Sequence, residues 1–470
     1  MRTKALQFAL TFGLSLCLAG PASAQDSTPA AAPVASQAAA MAAQTQAAEQ
    51  PVPASLDLKQ SVERGLAANP TMVGARAQLQ GSDYMVKSSM ADFFPTATAS
   101  YGFSRYGSQP KTTAGVDSGD QTTWTGRLNI HQPVFVGFKL LKTHQKARLT
   151  KEQNEANLTQ AELSLISTIQ TNFLAHLKAK MDVKSAEDSV ERLKSQLKVT
   201  QAFFDVGLKP KLDVLQAEVD LATAEQAQLK AKNSLDTTRA KLNSLLNLPL
   251  EAPVEYVGDL TFTPFNLDLN ECLKRAFTSR PDILVGIKSV QIAEKDAGIT
   301  ASDFYPQVGA DVDFYKKGDH PGLSGSPNLS NTGKSYMTVG ATASWTFFQW
   351  GSTFFKYKSA DETVNKVRAA LDNTRLSAGY EVKQGLLSQR EAADRIGVAK
   401  KSVDAARESY RMALARYQAQ VGTNTDVLDA QAKVSSSEAQ LSQALSDYQT
   451  AISGLYVAMG EKNPDLSTAK

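Results

Sequence analysis

Cysteine is nearly absent: the 470-residue chain holds Cys17, Cys272 and no other. Cys17 lies in an apolar run, Ala5 to Ala19, which follows Met1-Arg2-Thr3-Lys4 and precedes Pro21-Ala22-Ser23-Ala24. That is the layout of a secretory signal, with cleavage expected between Ala24 and Gln25. Leu16 stands before Cys17 where lipid attachment needs a small residue, so no lipid anchor is expected. Export would leave Cys272 alone, which excludes an intrachain disulfide and suggests a small core residue on a helix. Net charge is equally scarce, 50 Lys+Arg against 47 Asp+Glu, and loss of Arg2 and Lys4 leaves 48 against 47. Such a balance offers no surface for nucleic acid. The four histidines, His131, His144, His176 and His320, show no metal-ligand spacing, and Gly322 to Gly333 lacks the lysine of a phosphate loop. Neither a metal, a cofactor nor an enzyme is therefore expected. Past the signal there is no run of about 18 apolar residues, which excludes a membrane-spanning helix but not a barrel.

What is present is duplication. Leu56-Asp57-Leu58 recurs as Leu267-Asp268-Leu269, Arg64 as Arg275, Asn69-Pro70 as Arg280-Pro281, and Asp92-Phe93-Phe94-Pro95 as Asp303-Phe304-Tyr305-Pro306, all 211 residues apart. A period that long marks a domain-sized unit and not a solenoid repeat. Residues 25–53 are mostly Ala, Gln, Pro and Ser with hardly a large apolar side chain, a segment that cannot bury enough surface to fold. The expected organisation is a signal at 1–24, that tail at 25–53, a first repeat at 54–250, a linker at 251–266, a second repeat at 267–460 and a tail at 461–470.

Each repeat carries two alternating runs, about 95–135 and 306–349. Ala97, Ala99, Tyr101 and Phe103 oppose Thr96, Thr98, Ser100 and Ser104. Trp124, Leu128 and Ile130 oppose Thr125, Arg127, Asn129 and His131. Val308, Ala310, Val312 and Phe314 oppose Gln307, Asp311 and Asp313. Met337, Val339, Ala341, Ala343, Trp345 and Phe347 oppose Thr338, Thr342, Ser344 and Thr346. These lengths fit tilted strands of a membrane barrel, and Trp124, Trp345 and Trp350 fit its aromatic girdles against lipid. A small soluble sheet with one buried face would give the same alternation. Four strands cannot close a barrel; about eight are needed, so a barrel would require several subunits.

Between Lys139 and Phe203 there is neither proline nor glycine, and Ser352 to Tyr417 is broken only by Gly379, Gly385 and Gly397. Helices of such length reach about 100 Å at ~1.5 Å per residue. Shorter helices are expected at 71–93, 212–246, 282–304 and 425–459. Leu441, Leu445, Tyr448, Ile452, Leu455 and Met459, like Val183, Ala186, Val190, Leu193 and Leu197, step by three and four, as coiled coils do. A two-stranded rod with a small sheet, a structural or adhesive protein, would share these heptads.

Taken together, the duplicated helix–strand–strand–helix order, Gln132-Pro133-Val134-Phe135-Val136-Gly137, Trp345-Thr346-Phe347-Phe348-Gln349-Trp350-Gly351, and Asp213-Val214-Leu215-Gln216-Ala217 with Asp426-Val427-Leu428-Asp429-Ala430 resemble the TolC family of outer-membrane efflux channels. The resemblance spans about residues 55–460. It implies a mainly α fold with a membrane β-barrel: a homotrimer whose twelve-stranded barrel continues as an α-helical periplasmic tunnel. It also implies a periplasmic adaptor and an inner-membrane transporter as partners, in tripartite efflux or type I secretion, with no chemistry in the channel. At the tips, 204–212 and 417–425, it implies an acidic ring at the tunnel entrance from Asp426 and Asp429, and a latch in which Tyr417 hydrogen-bonds Asp213. Gly422 falls where an arginine latch would stand. Asp426 can equally be read as a helix N-terminal residue serving the amide ends.

Overall fold

The first long helix begins where two consecutive residues turn left-handed. In the computed structural model, which describes residues 53–108, 122–324 and 335–463, Gly137 (φ 62°) and Phe138 (φ 66°) carry the second strand into that helix. Trp350 (φ 51°) and Gly351 (φ 80°) do the same in the second repeat. A Cβ at Gly137 would lie 2.4 Å from the Ser302 carbonyl oxygen, so only glycine fits. The expected cleavage at Ala24/Gln25, nearly all of the 25–53 tail and most of the two strand-connecting loops lie outside the described residues.

The first repeat runs α1 (Leu58–Ala68), α2 (Pro70–Ala91), β1 (Thr96–Arg105), β2 (Thr122–Val136), α3 (Lys139–Asp205) and α4 (Lys211–Leu245). The second runs α5 (Leu269–Ser279), α6 (Pro281–Thr300), β3 (Gln307–Gly318), β4 (Ser335–Ser344), α7 (Ser352–Gln418) and α8 (Asn424–Ala458). Asp57 and Gln60 form a capping box on α1 (2.7 and 3.1 Å). Proline opens both α2 and α6 at the first turn, where its missing N–H costs nothing. The residue before each proline reaches the end of the repeat's last helix: Asn69 Nδ2 donates to the Leu245 carbonyl (2.9 Å), and Arg280 Nη1 to the Ala458 carbonyl (3.1 Å). The duplicated X-Pro step is thus also a helix C-cap.

The four long strands form one antiparallel sheet in the order β1-β2-β3-β4. Register stacks Ala97, Ile130, Val312 and Val339 in one row and Ala99, Leu128, Phe314 and Met337 in the next. On the opposite face, Thr98, Asn129, Asp313 and Thr338 form a row, as do Ser100, Arg127, Tyr315 and Tyr336. Arg127 Nε bonds Asp313 (2.7 Å), and His131 Nδ1 lies 2.8 Å from Asp311. β4 stops at Ser344, short of the expected 349, because Ser344 pairs with Gln307, the first residue of β3. Before it stands Pro306, which offers no N–H.

α3 lies centrally, packing on α1, α2, α4, α6 and α8, while α7 packs on α5, α6 and α8. No helix among the described residues is apolar enough to cross a membrane. Midway along α3, Ile169, Phe173 and Leu177 meet Met72, Leu242, Leu246 and Tyr256 in one buried cluster. There Ser55–Leu56 pairs in parallel with Glu255–Tyr256. The counterpart in the second repeat buries Cys272, Ala276, Val382, Leu386, Tyr448, Leu455 and Met459. Cys272 is the small core residue of a helix that its isolation suggested. In the α8 heptad Leu445, Tyr448, Ile452, Leu455 and Met459 are buried and Leu441 packs against them.

Candidate functional site at the helical tip

α3 presents two adjacent seams of opposite character. Val190 and Leu193, of the apolar heptad, pack with Leu221 and Ala224 of α4. One position earlier in each step stand Asp182, Ser185, Ser189, Arg192 and Gln196, with Thr200 one turn further on, and these face α8. Ser442 Oγ donates to Asp182 (2.7 Å), Ser185 Oγ to Glu438 (2.8 Å), and Arg192 Nε to Gln431 Oε1 (2.8 Å). Gln431 Nε2 donates to Ser189 Oγ (3.1 Å). The hairpin α3–α4 is thus held internally by apolar contact and joined to α8 chiefly by hydrogen bonds, with Leu428 of α8 also packing against the apolar cluster.

At the tip this polar seam ends in a buried network. Gln196 Nε2 donates to Asn424 Oδ1 (2.8 Å), and Asn424 Nδ2 to the Asp213 carbonyl (3.2 Å). Tyr417, fully buried, donates its hydroxyl to Thr200 Oγ1 (3.2 Å). Its ring lies 5.6 Å from that of Phe203, with Lys209 Nζ 5.2 Å from the centroid. The expected bond from Tyr417 to the Asp213 side chain is therefore not the one formed. Buried against Phe203, the phenol reaches α3, and Asp213 enters the network through its backbone. Burial pushes the Tyr417 phenol up, and the Asp213 charge adds to the shift.

Asp426 occupies the third position of α8 and completes a capping box: it accepts from Thr423 N–H (3.0 Å), and Thr423 Oγ1 accepts from Asp426 N–H (3.1 Å). Those Thr423 bonds, with the Arg416 charge, hold the Asp426 carboxyl below the usual carboxylate range. Asp429 is exposed one turn further on. Across from it Asp220 of α4 is pushed up, by burial first and then by the Asp429 charge. A Cβ at Gly422 would meet the backbone of Arg416 and Tyr417 at 3.2 Å, so an arginine there would press on the end of α7. Thr200, Gln196, Asn424 and Asp220 were not singled out from sequence. Their one signal is a polar heptad beside the apolar one.

At the sheet, Trp124 packs on Phe103 (4.6 Å between centroids) and Tyr101 (5.5 Å) near the loop end. Trp345 donates Nε1 to the Phe304 carbonyl (3.1 Å), and Trp350, 88% exposed, packs on Phe348 at the helix end. The two levels are separated by the length of β2, about 30 Å for twelve steps of ~3.3 Å tilted by ~40°. That matches the hydrocarbon thickness of a bilayer.

The family described as "Outer membrane efflux protein" matches residues 61–248 and 272–461, one segment in each repeat. The alkaline protease secretion protein AprF of Pseudomonas aeruginosa is 22% identical over 71% of this chain and 68% of its own length. The toluene efflux pump outer membrane protein TtgC of Pseudomonas putida is 21% identical over 87% of this chain and 86% of its own. Among solved structures, the outer membrane protein VceC of Vibrio cholerae superposes with a TM-score of 0.73 at 18% identity, over 86% of this chain and 96% of that one.

Proposed function

This chain belongs to the outer membrane efflux protein family, an outer-membrane channel extending into the periplasm, and we propose that it works as a homotrimer forming one exit duct. The observation that carries the reading is the open sheet. β1 is exposed along its whole length and β4 at every residue but Tyr336, among the described residues no strand lies beyond either, and Val339 on the apolar face is 70% exposed. Unpaired edges and bare apolar rows are costly in water, but a ring of copies in lipid satisfies both. The helices repeat the pattern. Leu212, Leu215, Val219, Ala222 and Leu229 leave a heptad stripe uncovered on α4, and Leu376, Tyr380, Leu387, Val398 and Met412 leave another on α7. Different stripes on the two edges suit a head-to-tail contact, which closes into a ring. A free-standing rod would leave all of this apolar surface in water.

A periplasmic adaptor and an inner-membrane transporter would supply cargo, as in the secretion and efflux systems named for the relatives, and the duct itself would do no chemistry. The hydrogen-bonded α3–α8 seam supports a gate at the tip, because polar surfaces separate into water without the apolar cost that holds each hairpin together. Asp429, with Asp220 beside it and Asp426 at the cap, would line the entrance; three copies would concentrate negative field for cations.

In planar bilayers the purified protein should conduct with cation preference, and Asp429→Asn with Asp220→Asn should reduce that preference and the block by divalent cations. A protein that leaves outer membranes without detergent and never conducts would overturn the duct. A conducting double variant with unchanged selectivity would remove these carboxylates from the entrance.

A further inference from the structure

Just below the sheet, on the side of its apolar face, α3, α6 and α7 line an open cavity of about 690 Å3. The side follows from a chain of rings: Phe135 shares a row with Val308 on the apolar face, Phe138 packs on Phe135 (5.4 Å), and Tyr305 on Phe138 (6.0 Å). Phe138, Tyr305 and Tyr357 wall the cavity, and Lys142, Glu294, Asp361 and Arg368 are its charged lining. Arg368 is paired with Glu294 (2.7 Å). Lys142 and Asp361 are half-buried, and among the described residues neither side chain has an ion-pair or hydrogen-bond partner, including the other. Gly298 lets the Lys142 stem lie across α6, since a Cβ there would meet Lys142 Cδ at 2.5 Å.

We propose that this cavity holds the headgroup of a phosphoethanolamine-headed phospholipid of the adjoining leaflet, an inference that rests on the outer-membrane reading above. Lys142 lies in the first turn of α3, within about 5 Å of the strand ends at ~1.5 Å per residue, which is headgroup depth. A free cation and a free anion facing one space are both satisfied by a zwitterion: Lys142 takes the phosphate and the Asp361 carboxylate accepts from the ammonium. A glycerol headgroup would satisfy Lys142 but offer Asp361 only neutral hydroxyl donors, weaker partners for a carboxylate than an ammonium. The ring walls suit the interfacial depth, where aromatic side chains concentrate.

Native mass spectrometry of the delipidated full-length assembly tests this with short-chain phosphatidylethanolamine, short-chain phosphatidylglycerol, glycerophosphoethanolamine and inorganic phosphate. The ethanolamine lipid should bind about tenfold more tightly than the glycerol lipid, the weight of roughly one charged contact. Lys142→Gln should remove most of that binding, and Asp361→Asn should narrow the gap between the two lipids. Equal binding of both lipids to the parent protein would overturn the proposal, as would indifference to both substitutions. Competition by inorganic phosphate as effective as that by the ethanolamine lipid would overturn the lipid source. Conductance of the same preparations separates the two readings: a conducting protein without headgroup preference sinks this site alone, whereas a non-conducting protein that needs no detergent sinks the membrane reading.

Discussion

At the residue scale, the tip of the first hairpin turns through Gly207 (φ 76°), while the second turns through Gln420 (φ 61°) with the same bonding: Leu208 N–H to the Phe203 carbonyl, Val421 N–H to that of Arg416. Both are helix ends closed by a left-handed residue, where a side chain costs roughly 1 kcal/mol over glycine. Gln420→Gly should therefore raise the stability of the protein by about that amount, read as a higher thermal midpoint in detergent; a lower midpoint would show that the glutamine side chain has a compensating contact. His176 makes a second case. It is buried on α3 with Nδ1 3.0 Å from Thr238 Oγ1 and its ring against Tyr256, and burial pushes its pKa down to about 4 from 6.5. A depressed histidine binds its proton first in the unfolded chain, so the stability it allows is complete above pH 6.5 and is lost as pH falls toward 4. The loss amounts to roughly 3 kcal/mol at 1.36 kcal/mol per unit. Thermal midpoints measured from pH 7 to pH 4 should fall less steeply for His176→Gln than for the parent; parallel curves would contradict the assignment. From its place on a long helix His176 reads as either a surface or a packing residue, and the structure makes it the second. Its partners were not legible, because Thr238 and Tyr256 are far along the chain and carry no motif.

At the element scale, helices and strands were legible because each follows one period without interruption. α3 ends at Asp205, where Phe203 was expected, and α7 at Gln418, where Tyr417 was expected. The miss at β4 has a different origin: Trp345 and Phe347 continue the alternation perfectly well, but a strand ends where its partner's donors end, and Pro306 stands before β3, well back along the chain. The polar seam was hidden for a related reason, since serine and glutamine at heptad spacing read as solvent-facing until a second helix is laid against them. Thr200→Val removes the acceptor of the Tyr417 hydroxyl and leaves the phenol buried, a loss of about 1 to 3 kcal/mol per subunit. Combined with Asn424→Ala it should raise single-channel conductance; parental conductance from this double variant would place the closing contacts elsewhere. In the sheet, Val339 lies on the apolar row and Thr338 beside Asp313 on the polar one. Val339→Asp should impair assembly by up to a few kcal/mol at mid-membrane depth, whereas Thr338→Asp should be tolerated, and equal yields of folded protein from both would contradict the assigned faces.

For the whole molecule, duplication explains why the two edges differ. Two repeats joined side by side put β2 against β3 and α3 against α6 and α8 in the middle, and leave β1 with α4 on one border and β4 with α7 on the other. Each border lacks what the other offers: strand hydrogen bonds at the sheet and an apolar stripe along the helices. A structure with unlike, unsatisfied borders either closes with its own copies or polymerises without end. Four strands per chain call for a small number of copies to close a barrel, and the proposed number is three. The most direct test of this claim is to count chains in the particle extracted from outer membranes, by native mass spectrometry with cysteine crosslinking between introduced residues on β1 and β4. Cys272 is buried and would not interfere. The account predicts a particle of three chains and a crosslinked ladder that stops at three. A monomer, or a ladder that continues past three, would contradict it.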